Sequence, residues 1–186
     1  MSQRQLSTGL SGVIKRMADW WSVARHNRLF LWGLIGAVVI ALLDQASKYW
    51  IVHVVGLPEI GKIEISGIFD LTYVENRGAS FGMLSGMRVI LSLISIGVAG
   101  ALAFWLGQLK RVVAAVGVSF IIGGALGNLY DRIAYGYVVD FLDFSGLYFP
   151  WVFNIADSAI NIGIALLLFD AWKTRDMSSS DESKDA

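Results

Sequence analysis

Four long runs of apolar residues alternate with shorter polar segments along the chain. The runs cover about residues 29–54, 87–107, 112–130 and 151–172. Each approaches or reaches the roughly 20 residues that a helix needs to cross the hydrocarbon core of a bilayer. The pattern therefore predicts four transmembrane helices, and it excludes a soluble globular domain.

The two ends of the chain are more polar than this membrane domain, residues 29–172. In residues 1–28 the apolar positions from Leu10 to Ala24 follow helical spacing, and basic residues occupy the other face. This pattern predicts an amphipathic helix on the membrane surface, with a frayed tail as the alternative. Residues 173–186 are mostly Ser, Asp, Glu and Lys at their end, and they predict a disordered tail.

Basic residues indicate the orientation of the four helices. The short segment between the second and third helices contains Lys110 and Arg111, and the fourth helix is followed by Lys173 and Arg175. With four crossings, both places lie on the same side as the basic start. Since cytoplasmic loops are enriched in Lys and Arg, we expect both termini in the cytoplasm.

Two polar segments then face the outer side, residues 55–86 and 131–150. The first contains apolar residues at alternate positions, which predicts a small antiparallel sheet. The second includes an extended stretch at 135–141 in which Asp140 faces away from its apolar neighbours. The predicted fold class is an all-α polytopic membrane protein, with a small sheet in the loop between the first and second helices.

The amino-acid composition argues against several classes of function. The formal net charge is zero, so no nucleic-acid partner is expected. The chain contains no Cys, which excludes disulfides, thiol nucleophiles and thiolate metal sites. The two His residues, His26 and His53, lie on opposite sides of the first helix. A His-based metal site or a Ser-His-Asp triad is therefore not expected.

The polar residues inside the apolar runs share one depth. At 1.5 Å per residue from the cytoplasmic end of each helix, Asp44 and Asp157 lie roughly 22 Å up and Asn128 roughly 24 Å up. Lys48 and Asp131 lie roughly 28 Å up. Intramembrane ionisable residues are costly and commonly functional, and these five form one layer in the outer third of the membrane.

Paired aspartates are the chemistry that this layer favours. Two neighbouring carboxyl groups share one proton, so that one activates water while the other polarises a carbonyl group, without a metal or cofactor. Asp157 is one candidate member. Spacing alone leaves its partner open among Asp44, Asp131, Asp140 and Asp143.

Other classes of function fit the pattern less well. A serine–lysine peptidase would need Ser47 and Lys48 as a dyad, but neighbours on a helix point about 100° apart, and Ser80 has no nearby Lys. A proton-coupled carrier would use the intramembrane carboxylates as a relay, yet the inner halves of the helices contain only Asp170 as an ionisable group. A non-catalytic scaffold leaves the shared depth unexplained.

Five segments in order resemble the bacterial lipoprotein signal peptidase (signal peptidase II) family over residues 29–172. They are Asp44-Gln45-Ala46-Ser47-Lys48, the segment 75–81 that begins Glu75-Asn76-Arg77-Gly78, the segment 123–132 that ends Asn128-Leu129-Tyr130-Asp131-Arg132, Val138-Val139-Asp140-Phe141 and the segment 153–159 around Asn154 and Asp157. The resemblance implies an aspartyl endopeptidase of the bacterial cytoplasmic (inner) membrane, with the sheet and the active site on the periplasmic side. It says nothing about residues 1–28.

The resemblance also implies roles and partners. The catalytic aspartates would be Asp140 and Asp157, which selects Asp140 from the open set. The substrates would be prolipoproteins, cleaved just before a diacylglyceryl-modified cysteine, with membrane lipids as further partners and globomycin-type cyclic peptides as inhibitors. Neither a metal nor a cofactor is implied. The substrate-binding or supporting positions would be Asp44, Lys48, Asn76, Gly124, Asn128, Asp131, Arg132 and Asn154.

Overall fold

The computed structural model describes residues 3–78 and 86–182. Within these residues the chain is mostly helical, with a small antiparallel sheet. The helices are α1 (Gln3–Ala24), α2 (Arg28–Tyr49), α3 (Leu57–Ile60), α4 (Gly86–Leu106), α5 (Val112–Ala134) and α6 (Ile155–Glu182). The strands are β1 (Lys62–Glu64), β2 (Asp70–Asn76), β3 (Val138–Asp143) and β4 (Val152–Phe153).

Four helical segments of the described chain are long and apolar enough to cross a membrane, as the sequence predicted. They are Arg28–Val54, Arg88–Leu106, Val112–Ala134 and Ile155–Arg175. The first combines α2 with a short π-helix at Trp50–Val54. In α5, 72% of an apolar 18-residue stretch is buried inside the protein, compared with 11% to 28% in the other three segments. Helix α5 is therefore the centre of the bundle.

Glycines on α5 allow its neighbours to approach closely. A Cβ atom on Gly123 would lie 2.6 Å from the backbone oxygen of Ala37 on α2. A Cβ atom on Gly124 would collide with the backbone oxygen of Ala156 on α6. Small residues at such contacts let helix backbones pack directly in a membrane. This packing places the polar residues of α2, α5 and α6 within hydrogen-bonding range of each other.

The sheet differs from the predicted one because its strands come from both outer segments. Its order is β1-β2-β3-β4, all antiparallel, with Val74 opposite Asp140 and Leu142 opposite Phe153. The prediction placed it only in the loop between the first and second membrane helices, and the label all-α overlooks it. A lone hairpin leaves unpaired edges, and β3 covers the edge of β2. Local alternation does not encode such a distant pairing.

An apolar cluster joins the sheet to the membrane helices. Ile51 and Leu57 follow α2 in the chain, and they pack with Val139 and Phe141 of β3. All four side chains are buried. The cluster fixes β3 above the end of α2, so the side chains on the opposite face of β3 have a defined position over α5 and α6.

Helix α1 docks on the end of α4 opposite to the sheet. The indole Nε1 of Trp20 donates a hydrogen bond to the backbone oxygen of Phe104 at 2.9 Å, and the two rings stack with centroids 5.1 Å apart. Asn27 caps α2 and donates to the backbone oxygens of Gly107 and Leu109. The described residues thus contain the predicted helix; its location on a membrane surface stays a prediction.

The other end of the chain differs from its prediction. Helix α6 continues to Glu182, although residues 173–186 were predicted to be a disordered tail. Once a helix is nucleated, each added residue gains a backbone hydrogen bond, so a helix can extend into a polar segment. Residues 183–186 lie outside the described part of the chain.

Candidate active site

Asp140 lies on β3, where the sheet meets the membrane helices. Its side chain is buried, with 1% of the residue exposed. Its Oδ2 accepts a hydrogen bond from Asn76 Nδ2 at 2.9 Å, and its Oδ1 accepts one from Asn154 Nδ2 at 2.6 Å. Burial is the main cause that raises the pKa of Asp140 to about 6, and the charge of Asp157 adds to the rise. Asp140 therefore retains a proton more readily than an ordinary aspartate.

A tight turn orients the amide of Asn76. The Oδ1 atom of Asn76 accepts a hydrogen bond from the backbone N–H of Gly78 at 2.9 Å. Gly78 has φ +82°, a conformation that favours glycine. Because the amide oxygen is engaged by the turn, the Nδ2 group points to Asp140.

Asp157 lies in the first turn of α6, where it forms a reciprocal cap with Asn154. The backbone N–H of Asp157 donates to Asn154 Oδ1 at 2.9 Å, and the backbone N–H of Asn154 faces Asp157 Oδ2 at 3.4 Å. Such a capping box satisfies two otherwise free N–H groups at a helix start. Asn154 directly precedes α6, and Asn161, four residues after Asp157 on the helix, is exposed.

Asn154 holds the two candidate catalytic carboxyl groups together. It is fully buried, its side-chain nitrogen contacts Asp140, and its side-chain oxygen and backbone nitrogen contact Asp157. Asn128 completes the arrangement, because its Nδ2 donates to Asp157 Oδ1 at 2.7 Å and its Oδ1 accepts from Asn154 at 3.1 Å. Two asparagines therefore fix the carboxyl groups with respect to each other.

Behind these asparagines, Lys48 joins α2 to α5 through two buried ion pairs. Its Nζ lies 2.7 Å from Asp44 Oδ2 and 2.8 Å from Asp131 Oδ2, and the three side chains are at most 5% exposed. The same ammonium donates to Asn128 Oδ1 at 3.2 Å. Asp44 accepts from the backbone N–H of Ala156 on α6 at 2.9 Å. The predicted i, i+4 pair is thus part of a larger cluster that ties three helices together.

Gln45, to which the sequence pattern assigns no role, also belongs to this cluster. Its Nε2 donates to Asp131 Oδ1 at 2.8 Å and to the backbone oxygen of Gly127 at 3.2 Å. Its position next to Asp44 in a predicted polar layer was the available signal. Arg132 is half-buried, donates to the backbone oxygen of Asn128 at 3.3 Å, and lies within electrostatic range of Asp157 and Asp140.

The remaining candidates fall elsewhere. Asp143 lies at the far end of β3, where it contacts Thr72 and Lys62 and no residue of the Asp140–Asp157 pair. Ser47 donates to the backbone oxygen of Asp44. Ser80 lies outside the described residues, as does the end of the segment 75–81. Among the described residues, no three His, Cys, Asp or Glu side chains converge in a way that could hold a metal ion.

The chain also matches a known protein family. The family model described as signal peptidase (SPase) II matches residues 36–173, which include all the candidate site residues named above. The chain belongs to the signal peptidase II family. Helix α1 lies before the matched residues.

Individual relatives in the signal peptidase II family cover most of the chain. The lipoprotein signal peptidase of Caulobacter vibrioides is 47% identical over 152 residues, which are 80% of this chain and 90% of the relative. That of Nostoc punctiforme is 45% identical and covers 79% of this chain and 91% of the relative. A bacterial membrane enzyme solved by the in meso method at 1.9 Å aligns with TM-score 0.67 and 34% identity, over 75% of this chain and 91% of that one.

Proposed function

We propose that this protein is an aspartyl endopeptidase that removes signal peptides from prolipoproteins by cleaving just before a diacylglyceryl-modified cysteine. The relatives that share this family are named lipoprotein signal peptidases, which supports the substrate class. The observation that carries the catalytic type is the shared contact of Asp140 and Asp157 with Asn154. The alternative, a proton-coupled carrier, receives no support from these relatives.

The two carboxyl groups have different surroundings, which suggests different roles. Asp140 is buried and has a pKa raised to about 6, so it is the member that keeps the shared proton. Asp157 is half-buried and faces donors from Asn128 and from the backbone of Asn154, so we assign it the role of the general base. Pairs of acids whose surroundings separate their proton affinities are typical of acid–base catalysis.

The proposed reaction uses one water molecule. Asp157 accepts a proton from the water as its oxygen attacks the scissile carbonyl carbon, while Asp140 donates its proton to the carbonyl oxygen. When the tetrahedral intermediate collapses, the carbon–nitrogen bond breaks. The amine of the cysteine takes the proton held by Asp157, and Asp140 recovers its proton from the oxygen that becomes part of the new carboxyl group.

The remaining predicted residues support this site. Lys48, Asp44 and Asp131 hold Asn128 in place for Asp157, and Gly124 allows α6 to approach α5. Arg132 is a half-buried cation on α5 whose charge interacts with both aspartates, and we infer that it binds substrate carbonyl groups. Globomycin-type peptides would compete with the substrate for this site.

The proposed orientation follows from the distribution of charge. Lys110 and Arg111 lie at the same end of the bundle as the docked α1, and the sheet lies at the other end. Following the positive-inside rule, both termini are in the cytoplasm, and the aspartates lie near the periplasmic face of the bacterial inner membrane. A lipid-anchored substrate would present its cleavage site at this depth while its acyl chains stay in the bilayer.

The decisive experiment is cleavage of a diacylglyceryl-modified prolipoprotein by the purified protein, with mass spectrometry of both products. We expect release of the intact signal peptide and a new N-terminus at the lipidated cysteine. The unmodified precursor is the matched control. Cleavage at another position, or no cleavage, would reject the proposal. Activity that EDTA removes and a divalent metal restores would reject the metal-free mechanism.

A further inference from the structure

A cavity of about 780 Å³ lies between α2 and α5, on the other side of the Lys48 cluster from the two aspartates. On the side that faces the protein interior it is lined by Gln45, Lys48 and Asp131. Neither Asp140 nor Asp157 lines the cavity. Ligand sites are commonly 300–1,000 Å³ in volume and mostly apolar with a few polar groups. The cavity has this size and this character, and neither the family nor the proposed mechanism assigns it a ligand.

The sheet separates this cavity from the candidate active site. Tyr73, Tyr137 and Val139 form the wall that the sheet contributes. Val139 directly precedes Asp140, and successive side chains of a strand point to opposite faces. A substrate whose scissile bond lies at Asp140 therefore approaches the other face of β3.

The lining indicates an amphiphile. Ala41, Leu42, Ala46 and Leu126 provide an apolar wall along the membrane helices. At the outer end the cavity is rimmed by tyrosines, which are Tyr49, Tyr73, Tyr130, Tyr135 and Tyr137. Aromatic residues with a polar tip are typical of the level where lipid glycerol and ester groups meet the acyl chains. Burial raises the pKa of Tyr73, so its hydroxyl stays a hydrogen-bond donor.

The charges argue against selection of an ionic headgroup. Among the described lining residues the only Lys or Arg is Lys48, and it is already paired with Asp44 and Asp131 at 2.7 and 2.8 Å. The cavity also opens on the surface that the bilayer covers, since Leu42 is 63% exposed and Tyr130 is 53% exposed on membrane-spanning segments. The neighbouring molecules at that surface are membrane lipids.

We propose that this cavity binds one membrane glycerophospholipid, with its glycerol and ester groups among the tyrosine hydroxyls and an acyl chain along Leu42 and Leu126. The lipid rests on Gln45 and Lys48. Lys48 contacts Asn128, which in turn contacts Asp157. Two side chains, Lys48 and Asn128, thus lie between the bound lipid and Asp157.

The test is native mass spectrometry of the delipidated full-length protein, titrated with phosphatidylglycerol and, separately, phosphatidylethanolamine of matched acyl chains. Ala46→Trp fills the cavity from α2. Ala165→Trp is the matched control, because Ala165 is also exposed, lies on α6 and does not line the cavity. We expect Ala46→Trp to weaken the tightest lipid-binding event at least about fivefold, which is about 1 kcal/mol, and the control to leave it unchanged.

A second pair of variants keeps the result interpretable if Ala46→Trp fails to fold. Leu126→Trp fills the cavity from α5, and Leu93→Trp is its control on an exposed part of α4. We expect the two phospholipids to bind with similar affinity, because the contacts involve the part they share. Equal lipid binding in the cavity variants and their controls would show only non-specific annular lipid and overturn the proposal. The assay needs no substrate, so it is independent of the peptidase function.

Discussion

Strand β3 carries two buried aspartates beside polar partners, Asp140 near its middle and Asp143 at its end, and their surroundings shift the pKa in opposite directions. Asp140 is held by two neutral amides and has a pKa raised to about 6 by burial. Asp143 accepts from the Thr72 hydroxyl and the Ser145 backbone, and it lies 3.6 Å from the Lys62 ammonium. These partners lower its pKa to about 2. Burial therefore decides the pKa only where it outweighs the partners: at Asp140 the amide donors and the Lys48 charge offset it in part, whereas at Asp143 the hydroxyl, backbone and ammonium partners outweigh it.

The largest expected effect separates these two aspartates by activity. Asp140→Asn keeps the shape and one of the two accepting oxygens but cannot share a proton, so we expect cleavage to fall at least about 10³-fold. Asp157→Asn is expected to have the same effect. Asp143→Asn is the control on the same strand, and its rate should stay within about tenfold of the parent, in line with a structural role. The initial rate of prolipoprotein cleavage by folded, purified variants measures this difference.

Substantial activity in Asp140→Asn would remove Asp140 from the pair. A loss of activity in Asp143→Asn as large as that in Asp140→Asn would contradict the different roles assigned to the two aspartates of β3.

A second comparison concerns the two lysines that each pair with two aspartates. Lys48 is buried between Asp44 and Asp131, so Lys48→Ala leaves unpaired buried charges and is expected to cost about 3–5 kcal/mol of unfolding free energy. Lys62 is 43% exposed beside Asp70 and Asp143, where solvent screens the charges, so Lys62→Ala is expected to cost far less unfolding free energy than Lys48→Ala. Unfolding in detergent measures both.

The double change of Asp44 and Lys48 to apolar residues tests the same cluster further. It should recover stability relative to either single change, but only in part, because Asp131 loses its cation. Equal stability of Lys48→Ala and Lys62→Ala would contradict the assigned difference in burial.

A smaller effect is expected from Thr72→Val, which removes the main donor that lowers the pKa of Asp143. In the parent, the folded pKa of about 2 lies below the unfolded value of about 3.9. Asp143 therefore contributes stability above about pH 4, and this contribution is lost as the pH falls toward 2. We expect Thr72→Val to cost about 1–3 kcal/mol at neutral pH and to weaken this dependence.

Unfolding free energies between pH 2 and pH 7 check the Thr72 prediction. Thr174→Val is the control, because the Thr174 hydroxyl bonds to the backbone oxygen of Asp170 and to no carboxylate. The same acid dependence in Thr72→Val and the parent would show that the hydroxyl does not set the pKa of Asp143.

The smallest expected effect is a shift in the pH profile of cleavage. The rate should fall as the pH rises through about 6, because Asp140 then loses the shared proton. The hydrogen bond from Asn76 lowers the pKa of Asp140, so Asn76→Ala should move this decline to higher pH. Rates from pH 4 to pH 9 measure the shift. A shift to lower pH would contradict the role of Asn76.

The membrane helices and most site residues were predictable because their signals are local. Runs of apolar residues locate the four segments, and helical rise alone placed Asp44, Asn128 and Asp157 at one depth. The structure brings these residues into one network through Lys48 and Asn154. The depth of a residue in the membrane does not say which neighbouring helix its side chain faces, however. It could not decide which of several aspartates faces Asp157, and the choice of Asp140 came from the resemblance.

What could not be predicted depends on contacts between distant segments. The pairing of β2 with β3 joins the two outer segments, and neither segment alone encodes it. The reciprocal cap of Asn154 and Asp157 was overlooked because the apolar run begins before the helix does. The position of Gln45 depends on the rotation of α2 against α5, which the glycines of α5 set.

The pairing of β3 with β4 has a consequence for the biogenesis of the protein. Leu142 faces Phe153 in this ladder, and β4 leads directly into α6, so Asp140 and Asp157 belong to one continuous hairpin-and-helix unit late in the chain. Contacts between residues close in sequence need little loop-closure entropy and form quickly. During synthesis, the contacts that join Asp140 to Asp157 through Asn154 can therefore form as soon as the start of α6 has been made.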